Sequence, residues 1–472
     1  MSNSVPPSGS LTANKRTSFL VKRARGLGCS QHKVGPAIAV PGLSITDHTF
    51  TLPLDYSGLH GEIDVFCRVV VNRSKTGDHM LPYLLYLQGG PGFEAPRPVN
   101  SSGWMEYASK YFRIVLMDQR GTGLSTPITA RSLAQRGNAE GQAAYLSCFR
   151  ADSIVADAEI IRSMLVPATN HDGRWTILGQ SFGGFCCVTY LSNAPEGLID
   201  VLITGGIPPC IDGKDVAATV YRACYRRVLL QNQKFYARFP GDVGRVGAVV
   251  NYLAQQPGGG VTTPAGNLLT PRRGRGSLQL LGLSALGFST GFEQLHYMFE
   301  GAFDGDDLSL KFLKVLIEWR VLHEPIYCQG EASNWAAHRV READFGDEFD
   351  AAAAAAEGRP VNFTGEMVFP WMFDEIAGLR AFKDAAEALA AKYDWPALYD
   401  VEKLSENVVP AATVMYFEDM FVNFDLANAT ASKIAGLQKW ITNEYLHCGI
   451  REAGKTIFER LVNLTRGGIL PR

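Results

Sequence analysis

Between Leu43 and Thr204 the apolar positions fall into short runs whose period changes in order. Ile63, Val65, Cys67, Val69 and Val71 alternate with other residues, the pattern of a half-buried antiparallel strand. Leu81 to Leu87 is a continuous apolar run, as in a strand covered on both faces, and Ile114 to Met117 is a second. Each ends in residues that no helix or strand traverses easily, Gln88-Gly89-Gly90-Pro91-Gly92 and Asp118-Gln119-Arg120-Gly121-Thr122-Gly123. An amphipathic helix follows through about Leu165, with Asp152 and Ser153 offered as its N-cap. Trp175 to Leu178 reads as a strand, a helix-compatible run begins just beyond Ser181, and Val201 to Thr204 reads as another strand. Strands alternating with helices predict a mostly parallel α/β sheet with helices on both faces.

Beyond Gly206-Ile207-Pro208-Pro209 the period becomes helical. A glycine-rich loop near 257–276 and an alanine run at 351–356 interrupt it, and aromatic-rich pieces such as Phe292 to Phe299 suggest helices packed over something. Strand character returns at Ala411 to Phe417, followed by a helix near 426–438, a strand at Lys439 to Thr442 and a helix near 452–463. The simplest organisation is one sheet domain, 44–206 plus 401–472, interrupted by a mostly helical cap domain at 207–400. Such an insertion belongs over the C-terminal ends of the strands, where ligands bind in open α/β sheets.

Composition narrows the picture. A chain of 472 residues with 46% apolar and 19% charged residues is that of a globular protein. Its net charge of −2 argues against nucleic-acid binding. No run of about 18 apolar residues offers a membrane span, so no membrane partner is expected. Nine cysteines, an odd number without regular spacing, read as reduced thiols and make a cytoplasmic location the default. The first 46 residues carry Lys15, Arg16, Lys22, Arg23, Arg25 and Lys33 but no acid before Asp47. That composition suits a basic, disordered arm over 1–43, or alternatively an organelle transit peptide.

The chemistry centres on Gly179-Gln180-Ser181-Phe182-Gly183-Gly184. A strand that turns through G-x-S-x-G into a helix presents its serine at the apex of a nucleophile elbow, and the flanking glycines let the backbone cross itself. A serine hydroxyl needs a base and the base an orienting acid, in the order Ser, Asp or Glu, His for an α/β-hydrolase. Asp419 lies two residues past the late strand, with Glu418 and Asp425 as competitors, Asp425 reading more naturally as a helix cap. His447 is the sole histidine downstream of Asp419. The oxyanion needs preorganised N–H donors, for which the backbone of Phe182 and of Gly90, with Gly89 second, are placed correctly in sequence. His296, His323 and His338 fall in the insertion and could line a pocket or simply pack. Neither metal nor cofactor is needed.

Together, Gln-Gly-Gly-Pro-Gly at 88–92, Asp-Gln-Arg-Gly-Thr-Gly at 118–123 and Gly-Gln-Ser-Phe-Gly-Gly at 179–184 resemble the proline iminopeptidases, in that family's longer, larger-subunit branch. The resemblance implies an α/β-hydrolase-fold serine peptidase that releases N-terminal proline from small peptides, with a homo-oligomer compatible with the subunit. It implies Ser181 as nucleophile, His447 as base and Asp419 as its orienter. It also implies acids of the helical cap that hold the substrate's free amino terminus, for which Glu300, Glu324 and Glu293 are the best matches. An aromatic slot for proline would draw on Phe292, Tyr297, Trp335 or Phe373, which the sequence does not rank. An esterase or broader aminopeptidase on the same fold, and a non-catalytic binding protein, are the competing readings. An epoxide hydrolase is excluded because Ser181 stands where that chemistry needs an acid.

Overall fold

The computed structural model describes residue 21 and residues 23–56, 61–211, 213–314 and 322–468. The alternating segment forms one long strand of a ten-stranded sheet. In chain order its strands are β1 (Gln31–Val34), β2 (Ile38–Val40), β3 (Leu43–Pro53), β4 (Glu62–Asn72), β5 (Tyr83–Leu87), β6 (Arg113–Met117), β7 (Trp175–Gln180), β8 (Leu198–Thr204), β9 (Ala411–Tyr416) and β10 (Leu437–Thr442). Their spatial order is β1-β3-β4-β6-β5-β7-β8-β9-β10, with β2 also on β3. The pairs from β6 through β10 are parallel, and β1 to β4 are antiparallel, including the β4–β6 join.

The helices relevant to the site are α1 (Gly103–Ala108), α2 (Ala151–Leu165), α3 (Phe182–Asn193), α4 (Val216–Arg238), α5 (Ala336–Asp344), α6 (Phe424–Ala431), α7 (Gly449–Glu452) and α8 (Gly454–Thr465). Because side chains alternate across each strand, the central strands bury one set of residues on each face. Ile177, Val201 and Ile203 pack with Ile160, Phe185 and Val188 of α2 and α3. Leu178, Leu202 and Val414 pack on the other face with Trp104 of α1 and with Ile457, Phe458 and Leu461 of α8. No helix among the described residues is long and apolar enough to cross a membrane.

Between β8 and β9 the chain leaves the sheet and is mostly helical, apart from two short hairpins at 261–269 and 303–308. α4 buries Val220, Tyr221, Cys224, Tyr225, Val228 and Phe235, a stripe at helical spacing.

Three expectations need correction. The basic segment is not a free arm through residue 43: β1 and β2 pair with β3, Ala24 is fully buried, and Arg25 bonds the buried Glu159. Strands of three and four residues are too short to show a period, and their pairing with the long β3 supplies the stability. Residues 1–20 lie outside the described residues. Asp152 is not a cap either: α2 begins after Arg150, and Asp152 sits in its first turn. α6 ends at Ala431 rather than running on toward 438, since β10 already begins at Leu437.

Candidate active site

The loops after the parallel strands converge at one edge. β5 runs into Gln88-Gly89-Gly90, β7 into Ser181, β9 into the turn carrying Asp419, and β10 into the loop carrying His447. Ser181 has φ 55° and ψ −123°, a left-handed conformation that costs a non-glycine residue energy and is held by its surroundings. Gly183 makes that turn sterically possible. A Cβ there would run into the Leu87 carbonyl and lie 3.0 Å from the Gln88 oxygen, so only glycine lets the elbow dock against β5.

His447 Nδ1 lies 2.7 Å from Asp419 Oδ2. The other carboxylate oxygen, Oδ1, accepts from the backbone N–H groups of Phe421 at 2.8 Å and Val422 at 3.0 Å. With that oxygen occupied, Oδ2 is left for the imidazole. Nδ1–H then donates to Asp419 and Nε2 carries the lone pair. The ring packs on Phe421 with centroids 4.8 Å apart. Of the competing acids, Glu418 pairs with Lys234, and Asp425 lies in the first turn of α6, whose cap is Asn423 rather than Asp425 as expected. Asp419 is 2% exposed, Ser181 7% and His447 8%. Ser181 and His447 line one cavity of about 940 Å³, at the upper end for small-molecule sites.

Gly90 lines the same cavity at φ 129°, and a Cβ there would lie 2.8 Å from the Gly92 nitrogen. Phe182 opens α3, where the first N–H groups have no partner within the helix. The Asp-Gln-Arg-Gly-Thr-Gly stretch holds this edge together. Gln119 Nε2 donates to the Gln88 carbonyl at 3.0 Å. Asp118 accepts from the Ala95 N–H at 3.1 Å and from both terminal nitrogens of Arg97 at 2.7 and 2.6 Å. Arg120, fully buried, binds Asp157 and the carbonyls of Leu54 and Cys148, both at 2.7 Å. Sequence reading took this stretch as a strand-ending loop and a family mark; its polar side chains staple the glycine loop to the sheet.

The three cap acids do not reach the cavity. Glu300 is exposed at the end of its helix. Glu293 is ion-paired with Arg238. Glu324 is buried, and its carboxylate accepts from the N–H groups of Ala336 at 3.3 Å and Ala337 at 3.0 Å, at the start of α5. Burial outweighs those bonds and raises its carboxyl above the ordinary value.

The cap acid that lines the cavity is Glu366, which sequence reasoning missed. It sits in an irregular stretch that α4 and a neighbouring turn fix in place. Asn232 of α4 exchanges hydrogen bonds with the Phe363 backbone at 2.9 and 2.8 Å, and the Thr364 N–H donates to the Gln279 carbonyl at 2.8 Å. Glu366 Oε2 lies 3.3 Å from His323 Nε2, whose Nδ1 meets the Tyr221 hydroxyl at 3.1 Å. Burial pushes the Glu366 carboxyl up, but His323 and, further off, His447 more than offset this and hold it below its ordinary range. Of the three cap histidines, His323 lines the cavity, His296 bonds Asp242 at 2.9 Å, and His338 packs edge-on to Phe369. None of Phe292, Tyr297, Trp335 and Phe373 lines it; Leu280, Leu283 and Phe288 form its apolar cap side, and Phe421, from the turn after β9, adjoins them.

Residues 82–245 match the family model described as alpha/beta hydrolase fold. A proline iminopeptidase of Aeromonas sobria is 46% identical over 436 residues, spanning 90% of this chain and 97% of that protein. The proline iminopeptidase aneH of Aspergillus aculeatus is 35% identical over 431 residues, spanning 88% and 92%. With both relatives matched over nearly their whole length, the chain belongs to the proline iminopeptidase family.

Proposed function

We propose that this protein is a serine exopeptidase that releases N-terminal proline from peptides through an acyl-enzyme on Ser181. The observation that carries this reading is the shared cavity. It joins a strained elbow serine, a histidine hydrogen-bonded to a buried aspartate, and one ionised carboxylate on an apolar cap wall.

In the proposed reaction Ser181 Oγ attacks the carbonyl of the N-terminal residue while His447 Nε2 takes its proton. Asp419 stabilises the imidazolium that results. The tetrahedral oxyanion accepts from the Phe182 and Gly90 N–H groups, which are preorganised and cost no reorganisation. His447 then returns its proton to the leaving amine, and water, deprotonated by the same base, resolves the acyl-enzyme. Glu366 takes the role first given to the other cap acids. An amino terminus brought into an apolar cavity must be paired to stay charged, and Glu366 is the cap carboxylate facing that space. The apolar side chains of Leu280, Leu283, Phe288 and Phe421 would receive the prolyl ring. A cytoplasmic site of action accords with nine unpaired cysteines.

The test is hydrolysis of proline β-naphthylamide by the wild type and by Ser181→Ala, beside a p-nitrophenyl ester. We expect prolyl-amide cleavage that is lost in the variant. Ester turnover without any prolyl-amide cleavage would contradict the peptidase reading and favour an esterase.

A further inference from the structure

The cavity has two unlike walls. On the cap side Glu366 is the charged group, backed by His323, and Leu280, Leu283 and Phe288 line the same side. The sheet side, built from Tyr86, Gln88, Trp104 and Ile450, ends in Arg451. Arg451 belongs to α7, four residues after His447, and it is exposed although it lines the cavity, which puts it at the mouth.

Of the two arginines lining this space, Arg97 is already committed. Its fork lies flat against both oxygens of Asp118, so its charge and donors are spent within the fold. Arg451 has no carboxylate partner among the described residues. Its field is nevertheless felt inside: burial pushes the Tyr86 phenol up to about 12, and Arg451 pulls the other way. Tyr86 in turn donates to Gln88 Oε1 at 2.9 Å, at the base of the glycine loop. The remaining acid of this wall, Glu94, is exposed and coupled to Arg97.

A guanidinium without a carboxylate partner among the described residues, lining the same cavity as the Glu366 carboxylate, offers a zwitterion one charge for each of its ends. We infer that Arg451 receives the C-terminal carboxylate of a short peptide whose amino terminus is held at Glu366, so that dipeptides and tripeptides with a free C-terminus are the substrate class. The inference rests on the proposed prolyl exopeptidase activity. The volume fits it, since 940 Å³ exceeds what one prolyl residue needs and leaves room beyond Ser181 for the leaving residues. The planar fork of arginine suits a terminal carboxylate, while a peptide amide or a naphthylamide offers it no charge.

The experiment compares kcat/KM for Pro-Gly, Pro-Gly-Gly and Pro-Gly-amide in the wild type, Arg451→Gln, Arg451→Lys and Arg451→Glu, with proline β-naphthylamide as reference. We expect the wild type to prefer Pro-Gly over its amide by roughly two- to fivefold, the range for an exposed charge pair. The preference should vanish in R451Q, survive in part in R451K, and invert in R451E. A wild-type ratio near one, or a preference unchanged in R451Q and R451E, would overturn the assignment while leaving the peptidase intact. No release of proline from any substrate, the naphthylamide included, would overturn the exopeptidase reading and this inference with it.

Discussion

At the scale of single residues, the proposed chemistry depends on one proton path. His447→Ala should lower kcat by roughly 10³- to 10⁶-fold with the fold intact, because only oxyanion and binding contributions remain. Asp419→Asn should cost about 10⁴-fold by favouring the wrong imidazole tautomer. Steady-state kinetics with circular dichroism on each variant checks both, and near-wild-type turnover in either would contradict the assignment. Glu366 supplies a pH signature. Its folded pKa is depressed, so its stabilising contribution is complete above the ordinary carboxylate value of about 4.3 and is lost as pH falls through the lower folded value. The stability gap between wild type and Glu366→Gln in urea melts should therefore narrow as pH drops below that value; a widening gap would contradict the sign. Ser181, Asp419 and His447 were legible because order along the chain restricts the choice to very few residues. Glu366 was not. An acid in an irregular stretch has no motif or period, and what distinguishes it from Glu300 or Glu293 is the position of Asn232 and Gln279 against its neighbours, which is tertiary information.

At the scale of elements, the elbow and the glycine loop act as one unit. Gly183→Ala would drive a methyl into the Leu87 carbonyl, and neither β5 nor α3 can yield without moving Gly90 or Phe182. We expect a loss of about 1–3 kcal/mol in stability and a larger proportional loss in kcat, measured by thermal melts and prolyl-amide kinetics. The Arg120–Asp157 pair is the second support. Asp157→Ala would leave a fully buried guanidinium with carbonyl partners alone, and should destabilise by about 3–5 kcal/mol in chemical denaturation. A variant as stable as the wild type would show that the pair is not needed. The sequence pattern located the central strands to within about three residues because apolar runs bounded by glycine are unambiguous. It missed β1 and β2, whose exposed residues carry no alternation and gain their order from β3.

At the scale of the molecule, the sheet edge carries Ser181 and His447, and the long segment between β8 and β9 adds Leu280, Leu283, Phe288, His323 and Glu366 to the cavity they line. Helical periodicity foretold that segment's class, yet it could not say which of its faces would look toward Ser181. That explains why the aromatic residues first considered for the proline slot do not line the cavity, while Leu280, Leu283 and Phe288 do. The central claim is that this assembly reads a free amino terminus before it cleaves. The most direct measurement is kcat/KM for proline β-naphthylamide against N-acetylproline β-naphthylamide, in the wild type and in E366Q. The account predicts rapid cleavage of the free amine, loss of cleavage on acetylation, and a rise in KM of roughly 10- to 100-fold for the free amine in E366Q, the cost of one charged contact. Equal cleavage of the free and acetylated substrates by the wild type would contradict it.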